Sequence, residues 1–225
     1  MLALHTPHQD NGTQDLQEAR RVLTLEAHAL TQLAQSLGDN LLKALSLLAE
    51  TQDRVVVSGM GKSGHIARKI AATLASTGTP ALFIHPAEAS HGDLGMVGKN
   101  DTLLLLSTSG ETTELSDMIA YARRHAIPLI GVTTNANSTL ATLSTVCLTL
   151  PKIEEACPLG LAPTTSSTMM LALGDALAVC LLNRSGFSCE DFGHLHPGGK
   201  LGQRLLKVES LMHAGDALPL LSMTA

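Results

Sequence analysis

The apolar positions along the chain follow two alternating patterns, short apolar runs and longer stretches in which apolar residues recur every three or four positions. Val55-Val56-Val57 is the first of the short runs, and it predicts a buried strand because β-branched residues favour extended structure. The predicted strands are residues 55–57, 80–84, 103–106, 128–132 and 146–150. Helical spacing predicts the intervening helices at about 63–77, 87–92, 111–125 and 138–144. Strands that alternate with helices indicate a parallel, doubly wound α/β sheet.

The segment before the first strand has only the helical pattern. Residues 1–13 are polar and predict a flexible tail. Leucines at three- or four-residue spacing predict a long helix from about Gln14 to Gly38 and a second helix after it. Such a helical arm is longer than one layer on a sheet requires. We therefore expect its apolar face to pack either against another subunit or only against the sheet of its own chain, and the pattern favours neither.

The last third of the chain has a different composition. Residues 151–163 contain three prolines and predict a loop, and residues 164–183 are mostly apolar and predict one long helix. The glycine-rich segment 191–199 predicts turns, and a short helix is expected near residues 201–206.

Composition narrows the class of protein. The 225 residues are 44% hydrophobic and 16% charged, so a sizeable core is expected. The formal net charge of −5 and the aromatic content of 2% argue against nucleic acid as a partner. Neither a signal peptide nor a run of about eighteen uncharged apolar residues is present, so no membrane segment is expected. The four cysteines show no paired spacing, and we expect free thiols in a cytoplasmic protein.

The segment after the first predicted strand is glycine-rich. Gly59, Gly61 and Gly64 fit the pattern Gly-x-Gly-x-x-Gly between a strand and a helix, which places backbone N–H groups at a helix N-terminus and favours an anion. A dinucleotide site would need an acidic residue about twenty positions on, where His85 stands. A P-loop would need glycine at the position of Val56. The loop therefore predicts an anion site, and both nucleotide classes lose support.

Hydroxyl side chains cluster after the third predicted strand. Ser107, Ser109 and Thr112 stand at a strand-to-helix junction, where their hydroxyls and the free N–H groups of the helix can donate to one phosphate. Ordinary capping of the next helix would use the same residue types. Because a second anion loop follows a neighbouring strand, we expect the ligand to be a phosphorylated small molecule.

Carboxylates and histidines gather after the predicted strands and near the C-terminus. Parallel sheets bind ligands beyond the carboxyl ends of their strands, so these residues predict acid–base chemistry on a substrate that is held by its phosphate. They are Glu114, Glu154, Glu155, His85, His91, His194 and His196. Asp175 in the apolar helix and His28 in the first helix are expected to be structural.

Several stretches closely resemble one family. From about residue 15 to the C-terminus, the chain is similar to the sugar isomerase (SIS) domain of bacterial D-arabinose 5-phosphate isomerases. The matching stretches are Gly59–His65, Ser76–Pro80, His91–Met96, Glu155–Thr164 and Asp191–Gly199. The resemblance implies a three-layer αβα sandwich with a five-stranded parallel sheet of flavodoxin-like type, preceded by the long helical arm.

The resemblance also implies an activity and a domain organisation. The expected enzyme is an aldose–ketose isomerase that interconverts D-arabinose 5-phosphate and D-ribulose 5-phosphate. This reaction is the first step of 3-deoxy-D-manno-octulosonate (Kdo) biosynthesis for lipopolysaccharide or capsule. Residues 14–207 then form the SIS domain, and residues 208–225 form a linker and the start of a cystathionine-β-synthase (CBS) domain that is otherwise missing. A homo-oligomer, dimer or tetramer, is expected. The alternative is a non-catalytic SIS module that senses a sugar phosphate.

Matching positions imply roles for individual residues. By resemblance, the catalytic residues are Lys62, Glu114, Glu155, His91 and His196. His91 is also a substrate contact, and Gly78 and Thr79 lie in a matching motif and are expected to bind substrate. His85 matches a position that contacts zinc, which in this family tends to inhibit and is not required.

The expected reaction opens the sugar, removes a proton from C2 of the aldose and returns it to C1 through an enediolate. The expected phosphate ligands are Ser63, Ser107, Ser109, Thr112 and the amides of the glycine loop. Lys62 is expected to stabilise the oxyanion, and the base is Glu155, His91 or His196, among which the sequence does not choose. No redox cofactor is expected, and an NAD-dependent enzyme is disfavoured because the acidic residue of a dinucleotide site is missing.

Overall fold

The computed structural model of the protein describes residues 12–198 and Met212. The strands are β1 (Val55–Gly59), β2 (Ala81–Phe83), β3 (Thr102–Leu106), β4 (Leu129–Thr133) and β5 (Val146–Thr149). The helices are α1 (Gly12–Ser36), α2 (Asp39–Ala49), α3 (Gly61–Ser76), α4 (Pro86–Ala89), α5 (Ser116–His125), α6 (Thr139–Leu143), α7 (Thr165–Ser185) and α8 (Cys189–Leu195). Two short 3₁₀ helices lie at Asp93–Met96 and Thr113–Leu115.

The five strands form one parallel sheet in the order β2-β1-β3-β4-β5. In register, Val55 of β1 lies beside Ala81 of β2 and beside Thr102 of β3. After β2 the chain crosses back over β1 to form β3, so the strand order reverses between β1 and β3. Ligands bind at such a switch point, beyond the carboxyl ends of the strands. We call this end of the sheet the carboxyl edge and the opposite end the amino edge.

Two apolar cores cover the two faces of the sheet. Val55 and Val57 face a core built with α1, α2, α3 and α7, whereas Val56 faces a core built with α4, α5 and α6. Every residue of β1, β3 and β4 is buried, as expected for central parallel strands with helices on both faces. The predicted three-layer α/β fold with a five-stranded parallel sheet is confirmed.

The helical arm divides into two parts. Ala29 and Leu33 of α1 are buried and belong to the core that also contains residues of α7, which agrees with packing against the arm's own chain. Leu16 and Leu23, nearer the start of α1, are 59% and 67% exposed. The arm thus covers its own domain with one half and leaves an apolar stripe uncovered on the other half.

Helix α7 is the one described helix whose length and composition would allow it to cross a membrane. Half of its most apolar stretch is buried inside the domain, as in a core helix. It packs closely on α3, because a Cβ atom at Gly174 would collide with the side chain of Ile70. This close approach of the two helices makes α7 part of the core layer.

Two predictions need correction. Gly12 and Thr13 belong to α1 and not to a flexible tail. Residues 191–195 are helical and not turns, because Ser188 and Asp191 form a capping box that starts α8. The rest of the predicted tail, the short helix expected near 201–206 and, apart from Met212, the expected linker and CBS segment at 208–225 lie outside the described residues.

Candidate active site

The glycine loop and the hydroxyl loop meet at the switch point of the sheet. Gly59 at the end of β1 lies in register with Leu106 at the end of β3. The segments that follow these two residues therefore leave the carboxyl edge side by side. This neighbourhood confirms the expected proximity of the two loops.

In the glycine loop, the backbone at Gly64 approaches the backbone at Gly59 closely as helix α3 begins. A Cβ atom at Gly64 would collide with the carbonyl of Gly59, and Gly61 has a φ of +58°. Met60 at the N-cap of α3 supplies no side-chain hydrogen bond. The first-turn N–H groups of α3 therefore lack a side-chain cap, and Lys62 and Ser63 lie in that turn. A cation, a hydroxyl and free amides at one helix start are suited to an anionic ligand.

The predicted phosphate hydroxyls form a cluster. The Oγ of the buried Ser107 lies 2.7 Å from the Oγ1 of Thr112 and 3.5 Å from the Oγ of Ser109. The N–H of Gly110 donates to Ser107 Oγ at 2.9 Å, and the N–H of Glu111 donates to Ser109 Oγ at 3.1 Å. Hydrogen bonds thus bring three hydroxyls and two backbone amides together in one short loop.

Sequence analysis missed the residues that support this loop. The hydroxyls of Thr133 and Thr134 donate to the carbonyl of Thr108 at 3.0 and 2.8 Å. The N–H of Thr139 donates to Glu111 at 2.7 Å, and hydrogen bonds from Thr139 lower the pKa of Glu111. The signal that could have found them is the pair of threonines at the end of a predicted buried strand, which adjoins the hydroxyl loop.

Three of the expected catalytic residues carry unpaired side chains at the carboxyl edge. Lys62 is in the first turn of α3, Glu114 lies in the 3₁₀ helix after the hydroxyl loop, and His91 follows α4. All three are exposed, and within residues 12–198 none of their side chains makes a hydrogen bond or ion pair. They are therefore free to contact a ligand.

Glu155, in the loop after β5, has the opposite character. Its Oε2 accepts from the N–H and hydroxyl of Thr164 at 2.7 and 3.1 Å and from the N–H of Ser166 at 3.2 Å. Its Oε1 accepts from the hydroxyl of Ser166. Partial burial raises the pKa of Glu155, but the hydrogen bonds from Ser166 and Thr164 together outweigh burial and leave the pKa below its ordinary value.

Gly78 and Thr79 do not join these residues. They precede β2 and lie at the amino edge, where the carbonyl of Pro80 accepts from Val55 at the start of β1. Strands of five residues separate the two edges by about 16 Å. One chain therefore does not bring Gly78 and Thr79 to the carboxyl edge, and their expected contact with substrate stays a prediction.

The chain reaches His196 from the amino edge of the sheet. Helix α7 starts beside Glu155 and carries the chain to Phe187, whose ring contacts Gly78. His196 follows α8, stacks on Phe192 at a centroid distance of 3.9 Å, and its Nδ1 lies 2.8 Å from the carbonyl of Phe192. Among the described residues, Phe192 alone makes a hydrogen bond or ring contact with the His196 side chain.

The metal expected at His85 has limited support. The Nδ1 atom of His85 is buried and lacks a hydrogen-bond partner, which leaves one nitrogen available as a ligand. Across residues 12–198, however, no three His, Cys, Asp or Glu side chains come together as a metal site. The described residues of one chain therefore do not fit a zinc centre, and inhibition by zinc stays a prediction. All four cysteines are free.

Comparison with known proteins identifies a domain family that the chain matches. The SIS domain matches residues 47–180. The arabinose 5-phosphate isomerase KdsD of Pseudomonas aeruginosa is 53% identical over 205 residues, and that of Escherichia coli K12 is 48% identical over 213 residues. These matches cover 91% and 94% of this chain, and the chain spans 63% and 65% of the length of these relatives.

Solved structures agree with the sequence comparison. The protein c3406 of Escherichia coli CFT073, in complex with arabinose 5-phosphate, is 39% identical with a TM-score of 0.80, over 84% of this chain and all of that one. The Vibrio vulnificus NanR protein, complexed with ManNAc-6P, is 20% identical with a TM-score of 0.66, over 88% of this chain and 69% of that one, which shows a shared fold alone. From the extent of the domain match and the identity to these relatives, the chain belongs to the SIS domain family.

Proposed function

We propose that this protein is an aldose–ketose isomerase that interconverts D-arabinose 5-phosphate and D-ribulose 5-phosphate. The observation that carries the proposal is that the loops after the adjacent strands β1 and β3 carry the unpaired Lys62 and the hydroxyl cluster of Ser107, Ser109 and Thr112 at the switch point. Relatives named as arabinose 5-phosphate isomerases at about 50% identity support it, as does the arabinose 5-phosphate complex of the related Escherichia coli protein. The reaction would begin Kdo supply for lipopolysaccharide or capsule in the cytoplasm.

Each part of the site has a task in this reaction. The hydroxyl cluster and the amides at the start of α3 hold the phosphate, which fixes the open sugar at one end. Lys62 lies in that helix turn and stabilises the negative charge of the enediolate. Glu114 and His91 are free to move the proton between C2 and C1. The residues themselves supply the proton transfers, and the proposal requires no redox cofactor or metal.

The proposal includes a second copy of the chain. The carboxyl edge carries Lys62, Ser107 and Glu155. The amino edge carries Gly78, and the chain continues from there to His196. Both groups match motifs of the family, and one chain holds them apart. A homo-oligomer in which one copy's amino edge faces another copy's carboxyl edge would unite them, and the uncovered Leu16 and Leu23 of α1 offer apolar surface for such contacts.

The main alternative is a module that binds a sugar phosphate without turning it over. The shared fold with the NanR protein shows that such an architecture can hold a sugar phosphate in other proteins. A binding module needs the hydroxyl cluster but has no use for unpaired acid–base side chains beside it. Lys62, Glu114 and His91 therefore favour the enzyme.

One assay tests the function directly. The purified protein is incubated with arabinose 5-phosphate in the presence of a chelator, and ribulose 5-phosphate is measured over time. Product that forms in proportion to enzyme supports the isomerase. Tight binding of the sugar phosphate without product, measured by calorimetry, would support the sensor instead.

A further inference from the structure

The hydrogen bonds of Glu155 separate it from the other groups expected to do acid–base chemistry. Lys62, Glu114 and His91 are exposed, and their side chains have no partner in the described part of the chain. Glu155 instead accepts four hydrogen bonds from Thr164 and Ser166. These donors occupy most of the acceptor capacity of one carboxylate.

The donors around Glu155 oppose proton uptake. Two of them are the backbone N–H groups of Thr164 and Ser166, which can donate but cannot accept. Protonation at Oε1 would reverse the contact with the Ser166 hydroxyl and leave Oε2 a neutral, weaker acceptor for these N–H groups at the start of α7, where the helix dipole also favours an anion. The resulting lowered pKa agrees with this geometry. A group held in this way is a poor carrier for a proton that must be taken up near neutral pH.

The same hydrogen bonds join the two ends of a loop. Within the loop after β5, Glu155 lies at one end of the segment 155–164, and Thr164 and Ser166 lie at its other end, where α7 starts. The N–H of Ala156 also donates to the hydroxyls of Thr164 and Thr165 at 2.8 and 3.1 Å. From the other side, the guanidinium of Arg21 in α1 donates to the carbonyl of Ala156. The carboxylate therefore fastens the loop between the helical arm and α7.

We propose that Glu155 is a positioning residue, anchored by Ser166, that fixes the loop after β5 at the carboxyl edge. In this role Glu155 does not carry the transferred proton. The inference rests on the proposed isomerase function for its catalytic consequence. The proton transfers then belong to groups whose side chains are unpaired at this edge, or to a histidine of another copy.

The pH dependence of turnover tests the proposal. The dependence of kcat and kcat/KM on pH is measured for the wild type, Ser166→Ala and the matched control Ser167→Ala. Ser167 is the next hydroxyl in the same turn, and it donates to the carbonyls of Pro163 and Thr164 and not to Glu155. A positioning role predicts that Ser166→Ala raises KM or lowers kcat while the apparent pKa values of the profile stay unchanged. A base would lose a stabilising donor in Ser166→Ala, so an acid limb that moves to higher pH would overturn the proposal.

Hydrogen exchange gives a readout that does not depend on activity. Both N–H groups donate to Oε2, an oxygen that a glutamine amide could replace, so the exchange variant is Glu155→Ala, in which the N–H groups of Thr164 and Ser166 lose their acceptor. We expect these amides to exchange at least about tenfold faster than in the wild type, with Ser167→Ala unchanged. Unaltered exchange in Glu155→Ala would overturn the positioning role. Faster exchange in a protein that turns over no arabinose 5-phosphate would leave the anchor in place and reject only the proposed isomerase.

Discussion

The ring of Phe187 packs directly on the backbone of Gly78. A Cβ atom at Gly78 would collide with this ring. Gly78 also has a φ of +92°, a backbone conformation that residues with a side chain rarely adopt. The contact ties the segment after α7 to the turn before β2. The segment that leads from α7 to His196 therefore begins at the amino edge.

Gly78→Ala is expected to destabilise the protein through both features. The left-handed conformation costs about 1–2 kcal/mol for a residue with a side chain, and overpacking against Phe187 adds about 1–3 kcal/mol. Gly160→Ala is the matched control, because Gly160 has a φ of +64° but no atom within 4 Å of an added Cβ. Urea denaturation measures both free energies of unfolding. Equal losses in the two variants would show that the Phe187 contact contributes nothing.

Thr112→Val is expected to weaken binding of the sugar phosphate. The substitution keeps the branched shape but removes the hydroxyl that lies 2.7 Å from Ser107 Oγ. Loss of one hydrogen bond of ordinary strength corresponds to up to about a tenfold rise in KM and a similar loss of competitive inhibition by inorganic phosphate. Thr142→Val is the control, because the Thr142 hydroxyl donates to Ser138 outside the hydroxyl loop. An unchanged KM in Thr112→Val would remove Thr112 from the phosphate site.

Lys62→Ala is expected to reduce kcat by about 10²–10³-fold, the usual effect of losing a group that stabilises a transition-state oxyanion. Lys69→Ala removes a lysine from the same helix, but Lys69 forms an ion pair with Asp175 and lies away from the carboxyl edge. This control should keep wild-type kcat. Steady-state kinetics with arabinose 5-phosphate measure both variants. A Lys62→Ala enzyme as active as the control would place the lysine outside the reaction.

Mixing two inactive variants tests the shared site. If one copy supplies His196 to the Lys62 of another, mixed oligomers of Lys62→Ala and His196→Ala subunits contain some sites with both native residues. Unfolding and refolding the two variants together should therefore restore part of the activity that each lacks alone. Each variant refolded by itself is the control. Mixed oligomers, verified by native mass spectrometry, that remain inactive would show that both residues must come from one chain.

The stability of the protein is expected to depend on pH through Glu155. Its pKa is lower in the folded protein than the ordinary value of 4.5, so the unfolded chain binds more protons. The stabilisation is therefore complete above about pH 5 and is lost as the pH falls through the folded-state pKa. The difference in unfolding free energy between wild type and Glu155→Gln should shrink toward low pH. Glu154→Gln, at the neighbouring exposed carboxylate, should show no such trend.

Much of the fold follows from local patterns. Each of the five apolar runs overlaps a strand, because a buried parallel strand must be apolar on both faces. The boundaries differ by a few residues; for example, β1 extends to Gly59, beyond the predicted end at Val57. The helix α8 was missed, because the histidines and glycines after Ser188 indicate turns unless the capping box with Asp191 is recognised.

The candidate site was predictable only in part. The hydroxyl cluster follows from the spacing of Ser107, Ser109 and Thr112 in one short loop, and its expected proximity to Lys62 follows from the rule for parallel sheets. The supporting threonines at the end of β4 were not found, because their contacts with Thr108 are made between loops that are far apart in the sequence.

The sequence by itself determined the succession of strands and helices along the chain and the family, and it predicted two anion-binding loops, because periodicity and motifs are properties of neighbouring residues. Only the tertiary structure decided which motif residues share an edge. Strand direction places Gly78 at the amino edge, and α7, about 31 Å long, carries the chain from Glu155 toward Phe187. The tertiary structure also decided that the carboxylate of Glu155 accepts hydrogen bonds from Ser166 and Thr164. Those hydrogen bonds form only when the loop closes on the start of α7.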